Sequence, residues 1–254
     1  MASGNRKSNG WARLALVSWS GLALYAGACG GGSGSASDAG ATDADADGLP
    51  STACTKQVVT KGGQPYVIND FSTSADGKTV SWGYTGGNAF SGYSFTYPDT
   101  IVSDATAGAW HLTGTVNTYS GFALGFSCAV DASMFTGISF SIKGNPGPST
   151  GGLTLSVNTS PDDVNDGPGA PTYGKCVPKT SRYDGTCLSP KANVSVIAEA
   201  ATVKIKWADL KGGAPQDSVS PDSISGIVWT WDWIDGGTPF PTDITVDDVA
   251  FTID

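Results

Sequence analysis

Three indoles alternate in "WTWDWIDGG", Trp229 to Gly237. On a strand, residues two apart share a face, so Trp229, Trp231 and Trp233 share one side. Rings in such a row can stack on the flat face of a sugar, or they can fill a core. Ile227 has the same parity and is an ordinary core residue, so Trp229 and Trp231 are expected inside. Trp233 sits where the strand gives way to "IDGG", and a ring at that rim can be half buried and still offer a face. The other aromatic candidates are Trp82 and Tyr84 in "SWGYTGG", Tyr93 in "FSGYSF", and Tyr173 and Tyr183 around a cysteine-bounded loop. Glycines beside several of them allow close approach by a ligand, and they also mark turns. A ring with Asp, Asn or Thr hydrogen bonds nearby is the usual composition of a small-ligand site.

Catalytic chemistry finds little material. His111 is the one histidine, and no GxSxG accompanies it, which argues against a Ser-His-Asp triad. A His-rich zinc site is excluded. Two carboxylates could hydrolyse a glycoside, but the only Glu is Glu199. The Asp247–Asp248 pair is adjacent in sequence, and strand neighbours point to opposite faces. Asp162 and Asp163 in "SPDDVNDGPG" read as a solvated loop. The formal charge of -9 makes nucleic acid an unsuitable partner, since phosphate binding needs a basic surface.

The start, "MASGNRKSNGWARLALVSWSGLALYAGACGGG", has a basic n-region, an apolar run from Leu14 to Ala28, and small residues before Cys29. This predicts a lipoprotein-type signal over 1–28 with Cys29 lipidated, and ordinary secretory cleavage is the alternative. Residues 29–50 are rich in Gly, Ser, Ala and Asp and read as a flexible tether. The expectation is an exported protein, held to the cell envelope or outer membrane by the lipid alone, or else secreted. Four further cysteines suit two disulfides in an exported chain. Cys176 and Cys187 flank a polar loop and pair locally, which leaves Cys54 with Cys128.

The elements that must position these residues are short. Over 51–254, runs of four to eight residues with alternating apolar positions recur between Gly, Pro, Asp and Asn. Ile138, Phe140 and Ile142 oppose Ser139, Ser141 and Lys143; Leu153, Leu155 and Val157 repeat the pattern. About ten such strands, each with one apolar face, call for an all-β, two-sheet β-sandwich. In the last strand Ile244 and Val246 keep one parity while Val249, Phe251 and Ile253 keep the other. That slip predicts a bulge at Asp247–Asp248, and a bulge can aim a carboxylate at a metal.

The segments "AWHLTG", "DASMFTGISFSIKG", "ATVKIKWADLKGG", "ISGIVWTW" and "FPTDITVDDVAF", in this order, resemble the carbohydrate-binding jelly-roll modules related to family 11, within the galactose-binding-domain-like fold. The likeness extends to exported lipoproteins of myxobacteria. It implies a β-jelly roll with a structural calcium near the first and last strands. By position the ligands would be Asp70 and Asp248, with Asp247 next, helped by carbonyls and Ser72. It also implies a sugar site on the concave sheet or its rim. There the outward residues, Ser139, Ser141, Thr154, Ser156, Lys204, Lys206, Val228, Thr230 and Asp232, are mostly small or charged rather than aromatic. The functional expectation is a non-catalytic carbohydrate-binding domain with a polysaccharide partner. The alternatives are a structural or protein-interaction module, adhesin-like, and a glycan-active hydrolase.

Overall fold

The computed structural model describes residues 57–58, 66–71, 81–83, 91–105, 107–148, 152–165, 174–181, 184–233 and 236–253. The signal segment, Cys29, the tether, Cys54, Tyr84, Tyr173 and Tyr183 lie outside the described residues.

Among the described residues thirteen strands run in chain order: β1 (Gln57–Val58), β2 (Tyr66–Asn69), β3 (Ser81–Gly83), β4 (Ser91–Tyr97), β5 (Ile101–Asp104), β6 (Trp110–Val116), β7 (Gly121–Asp131), β8 (Gly137–Asn145), β9 (Leu153–Thr159), β10 (Lys191–Val194), β11 (Ala201–Lys206), β12 (Ile224–Trp231) and β13 (Phe240–Thr252). Among the described residues the helical content is one short turn, Trp207–Asp209. The strands form two sheets. The first has the order β10-β9-β12-β7-β4-β3, with β1 beside β7; the second has β11-β8-β13-β6-β5, with β2 beside β13. All pairs are antiparallel except β1 with β7. This is the expected all-β, two-sheet, jelly-roll-like sandwich. The short strands β1 and β5 carry too little alternation to stand out in sequence.

The layers meet through the predicted parities. Phe122, Leu124 and Phe126 of β7, Leu155 and Val157 of β9, and Ile227 of β12 face Ile138, Phe140 and Ile142 of β8 and Phe251 of β13 across one core. Trp229 and Trp231 belong to it, at 0% and 1% exposure. Trp229 stacks on Phe122, with centroids 5.1 Å apart, and meets Phe140 of the opposite sheet edge-on at 5.3 Å. Truncating either buried indole would cost about 3–5 kcal/mol.

The bulge falls where the phase slip requires it. Asp247 pairs with Ser141, but the next partners are Ala250 and Ser139, so β13 carries one residue more than β8. Asp248 takes up the extra residue with a φ of 51°. Below it, Val249 and Phe251 turn back into the core.

Candidate functional site

The chemistry-bearing surface is the outer face of the first sheet. In β4, Gly92 and Ser94 are buried, and Tyr93, Phe95 and Tyr97, of the other parity, face out. Their rings overlap in a row. Tyr93 and Phe95 stack at 5.6 Å, Phe95 and Tyr97 lie at 6.2 Å, and Tyr97 stacks at 5.6 Å on Tyr119 from the β6–β7 turn. The ends are the most open, Tyr93 at 48% and Tyr119 at 64% exposure, while Phe95 and Tyr97 are half-buried between them.

Strand β7 makes this row possible. Its inward residues are large, but outward it offers Gly121, Ala123 and Gly125, paired with Tyr97, Phe95 and Tyr93. The rings lean across these small residues. A Cβ at Gly125 would lie 2.7 Å from Tyr93 Cζ, and one at Gly121 would run into the Tyr97 phenol. Three cross-strand rows follow from the register: Tyr93–Gly125–Gly226–Asn158, Phe95–Ala123–Val228–Ser156 and Tyr97–Gly121–Thr230–Thr154. Beyond them β10 adds Lys191 opposite Ser156 and Asn193 opposite Thr154. One side of the face is therefore aromatic, and the other is paved with short hydroxyl and amide side chains.

The Tyr97 hydroxyl lies 3.5 Å from Thr230 Oγ1. Burial, and then the neighbouring Tyr119, push its phenol above the ordinary tyrosine range, while Thr230 pulls the other way. Tyr97 therefore stays neutral and offers a hydroxyl.

The sequence candidates divide. Tyr93 is in the row. Trp233 is half-buried against the core edge, its centroid 6.5 Å from Phe240. Trp82 pairs with Gly92 in β3, and its side chain lies outside the described residues. Phe95, Tyr97 and Tyr119 were missed. The signal was present: "YSFTY" alternates rings with Ser94 and Thr96, which imitates a core-facing strand. In the structure the small residue Ser94 faces the core and the rings face out. The outward residues Thr154, Ser156, Val228 and Thr230, expected to leave the face without rings, are the floor beside them.

Asp162 also differs from expectation. It is buried, not solvated: Oδ2 accepts the Thr159 hydroxyl at 2.8 Å, and Oδ1 accepts the Gln216 amide at 3.1 Å. Burial raises its pKa above the usual carboxylate range, against the pull of these two donors. Asp163 accepts the Val164 amide at 3.0 Å and the Ser225 hydroxyl at 3.1 Å. Both carboxylates tie the long β9–β10 loop to the sandwich. The same loop carries the Cys176–Cys187 disulfide, paired as expected. Cys128 is disulfide-bonded; its expected partner Cys54 lies outside the described residues. His111 Nε2 lies 2.9 Å from Asp243 Oδ1 on the exposed face of the second sheet.

The calcium candidates sit at the β13 bulge. Burial first, and then the charges of Asp248 and Asp70, raise the Asp247 carboxyl, against a hydrogen bond from the Asp248 amide. These oxygens are of the hard class that calcium takes, and their mutual repulsion is what a cation would relieve. Among the described residues, however, no three His, Cys, Asp or Glu side chains are gathered as a metal site.

No protein-family description matches the sequence, and no curated protein matches it significantly. Among solved structures the chain is similar to the Family 11 carbohydrate-binding module of a cellulosomal cellulase of Clostridium thermocellum, at 16% identity over 75% of this chain and 95% of that one, with a TM-score of 0.44. It is also similar to a family 29 carbohydrate-binding module (13% identity, 73% and 86% covered, TM-score 0.37) and to an agarase (6% identity, 74% and 26% covered, TM-score 0.44). The likeness thus spreads over more than one kind of protein and does not single out family 11. By its own strands and side chains, the domain is a two-sheet jelly-roll-like sandwich bearing an aromatic row on one outer face.

Proposed function

We propose that the domain is a non-catalytic carbohydrate-binding module that holds an extended polysaccharide on the outer face of its first sheet. The observation that carries this is the overlapping row Tyr93–Phe95–Tyr97–Tyr119, open at both ends and flanked by short polar side chains. The C–H face of a pyranose packs on an aromatic ring, and its equatorial hydroxyls reach for groups such as Thr230, Thr154 and Ser156. Buried apolar rings would be spent on a core; rings left half in water on one face ask for a ligand. In this reading Cys29 carries a lipid and residues 30–50 lift the module from the envelope.

Affinity electrophoresis through soluble polysaccharides tests this. Each exposed ring contributes about 1 kcal/mol of stacking, so Tyr93→Ala with Tyr119→Ala should abolish most retardation while the melting temperature barely moves. Equal retardation of the wild type and the double variant across all polymers would sink the proposal. The same reading includes a structural calcium held by Asp70, Asp247 and Asp248. An ion that binds the native state alone must raise the melting temperature. A calcium titration after chelation should therefore show a rise, and a flat titration removes the ion from the proposal.

A further inference from the structure

The face that carries the rings ends on a pair of lysines. The Lys191 amide donates to the Lys211 carbonyl at 2.9 Å, and the Lys211 amide to the Lys191 carbonyl at 3.0 Å. This is a directly opposed antiparallel pair, whose side chains leave from one face with Cα atoms about 5.5 Å apart. Lys191 also pairs with Ser156, an outward residue of β9, so that face is the one bearing the aromatic row. Both lysines are exposed. Like charges directly opposed in a sheet are destabilising, and neither lysine has a carboxylate partner among the described residues. Asp217, on the turn that follows, instead accepts the Gly212 amide at 3.0 Å. Two adjacent unpaired cations are unexpected in a chain with 14 basic and 23 acidic residues.

The register connects them to the rings. Phe95, Ala123, Val228, Ser156 and Lys191 form one row across five strands. Four steps of about 4.8 Å put Lys191 about 19 Å from Phe95. A chain crossing the strands along this row lays one sugar against the rings, passes the Ser156 hydroxyl, and brings a later substituent to the lysines. We infer that the ligand is an acidic polysaccharide, and that Lys191 and Lys211 receive its carboxylate or sulfate groups as point charges. This rests on the reading of the face as a glycan site.

The test uses the full chain with three probes: polygalacturonate, the neutral galactan made from it by carboxyl reduction, and a sulfated galactan. The wild type should bind a charged polymer more tightly than the neutral one, with the preference fading as salt is raised. Preference between the two charged probes tells carboxylate from sulfate. Lys191→Gln with Lys211→Gln should weaken charged-polymer binding roughly tenfold, or about 1.4 kcal/mol. It should leave neutral-polymer binding unchanged and the melting temperature equal or slightly raised, since a like-charge pair is removed. Equal binding of charged and neutral polymers, or a lysine variant that binds the charged polymer as the wild type does, overturns the inference. If Tyr93→Ala with Tyr119→Ala still weakens every probe in that case, only the acidic class falls. If that variant changes nothing, or the wild type binds none of the three, the glycan face falls too, and the inference with it.

Discussion

Gly121 and Gly125 lie on the same face of β7, four residues apart, and the same substitution should have unequal consequences at the two. Neither is in the positive-φ region, so alanine meets no backbone obstacle at either. At Gly125 the new Cβ would lie 2.7 Å from Tyr93 Cζ, 3.0 Å from its hydroxyl and 3.1 Å from Cε1. Carbon contacts are comfortable from about 3.5 Å, so the ring must retreat by roughly 0.8 Å. Tyr93 is half in water and ends the row, so it has room to move, at roughly 0.5–1.5 kcal/mol for a strained rotamer. Loss of glycine's freedom in the unfolded chain returns about 0.4–1 kcal/mol. The net stability change for Gly125→Ala is therefore within about 1 kcal/mol of zero, although the open end of the row has shifted. At Gly121 the Cβ would sit 2.5 Å from the Trp229 carbonyl oxygen and would also run into the Tyr97 phenol. The carbonyl belongs to the strand holding the core indoles and cannot yield, so overpacking should cost about 1–3 kcal/mol. Urea denaturation separates the two variants, and affinity electrophoresis then asks whether stable Gly125→Ala has lost polysaccharide binding. Equal destabilisation of both variants, or a Gly121→Ala protein as stable as the wild type, would refute the reasoning.

The two core indoles offer a second contrast. Trp231 Nε1 donates to Thr242 Oγ1 at 2.9 Å, whereas the buried Trp229 Nε1 has no hydrogen-bond partner among the described residues. Trp231→Phe should therefore be more destabilising than Trp229→Phe by about 1 kcal/mol in chemical denaturation. Asp162 should carry a pH signature. Its folded pKa is raised by burial, so the folded state holds the proton more tightly than the unfolded chain. Its contribution is fully present below the ordinary Asp value and is lost as pH rises through the raised one. Paired urea curves should show the wild type losing stability relative to Asp162→Asn as pH climbs from about 3.5 to 7, the unfolded value being about 3.9. A difference that grows in the opposite sense would show that the carboxylate, not the acid, is preferred in the fold.

Much of the fold was legible from the residues. The alternation of Ile138, Phe140 and Ile142 assigned a face to β8, and the shared parity of Ile227, Trp229 and Trp231 put the indoles inside. The slip between Val246 and Val249 located the bulge at Asp247–Asp248. These signals are local because a strand has a period of two, so its large apolar side chains recur on the face that is buried. The site was less legible for the same reason. Tyr93, Phe95 and Tyr97 alternate as a core strand would, and nothing within β4 says that the small Ser94 is the residue turned inward.

The sequence alone determined which residues share a face, where the chain must bulge, and that Cys176 can close its own loop. Only the tertiary structure decided which face of β4 meets water, because that depends on its pairing with β7. There Phe122, Leu124 and Phe126 claim the core, and Gly121, Ala123 and Gly125 leave the rings room outside. It likewise buried Asp162, by bringing Gln216 to it from a loop more than fifty residues away. It also set Lys211 beside Lys191 at the end of the aromatic face. Periodicity is written along one strand, whereas a site made of neighbours across five strands exists only once their register is fixed.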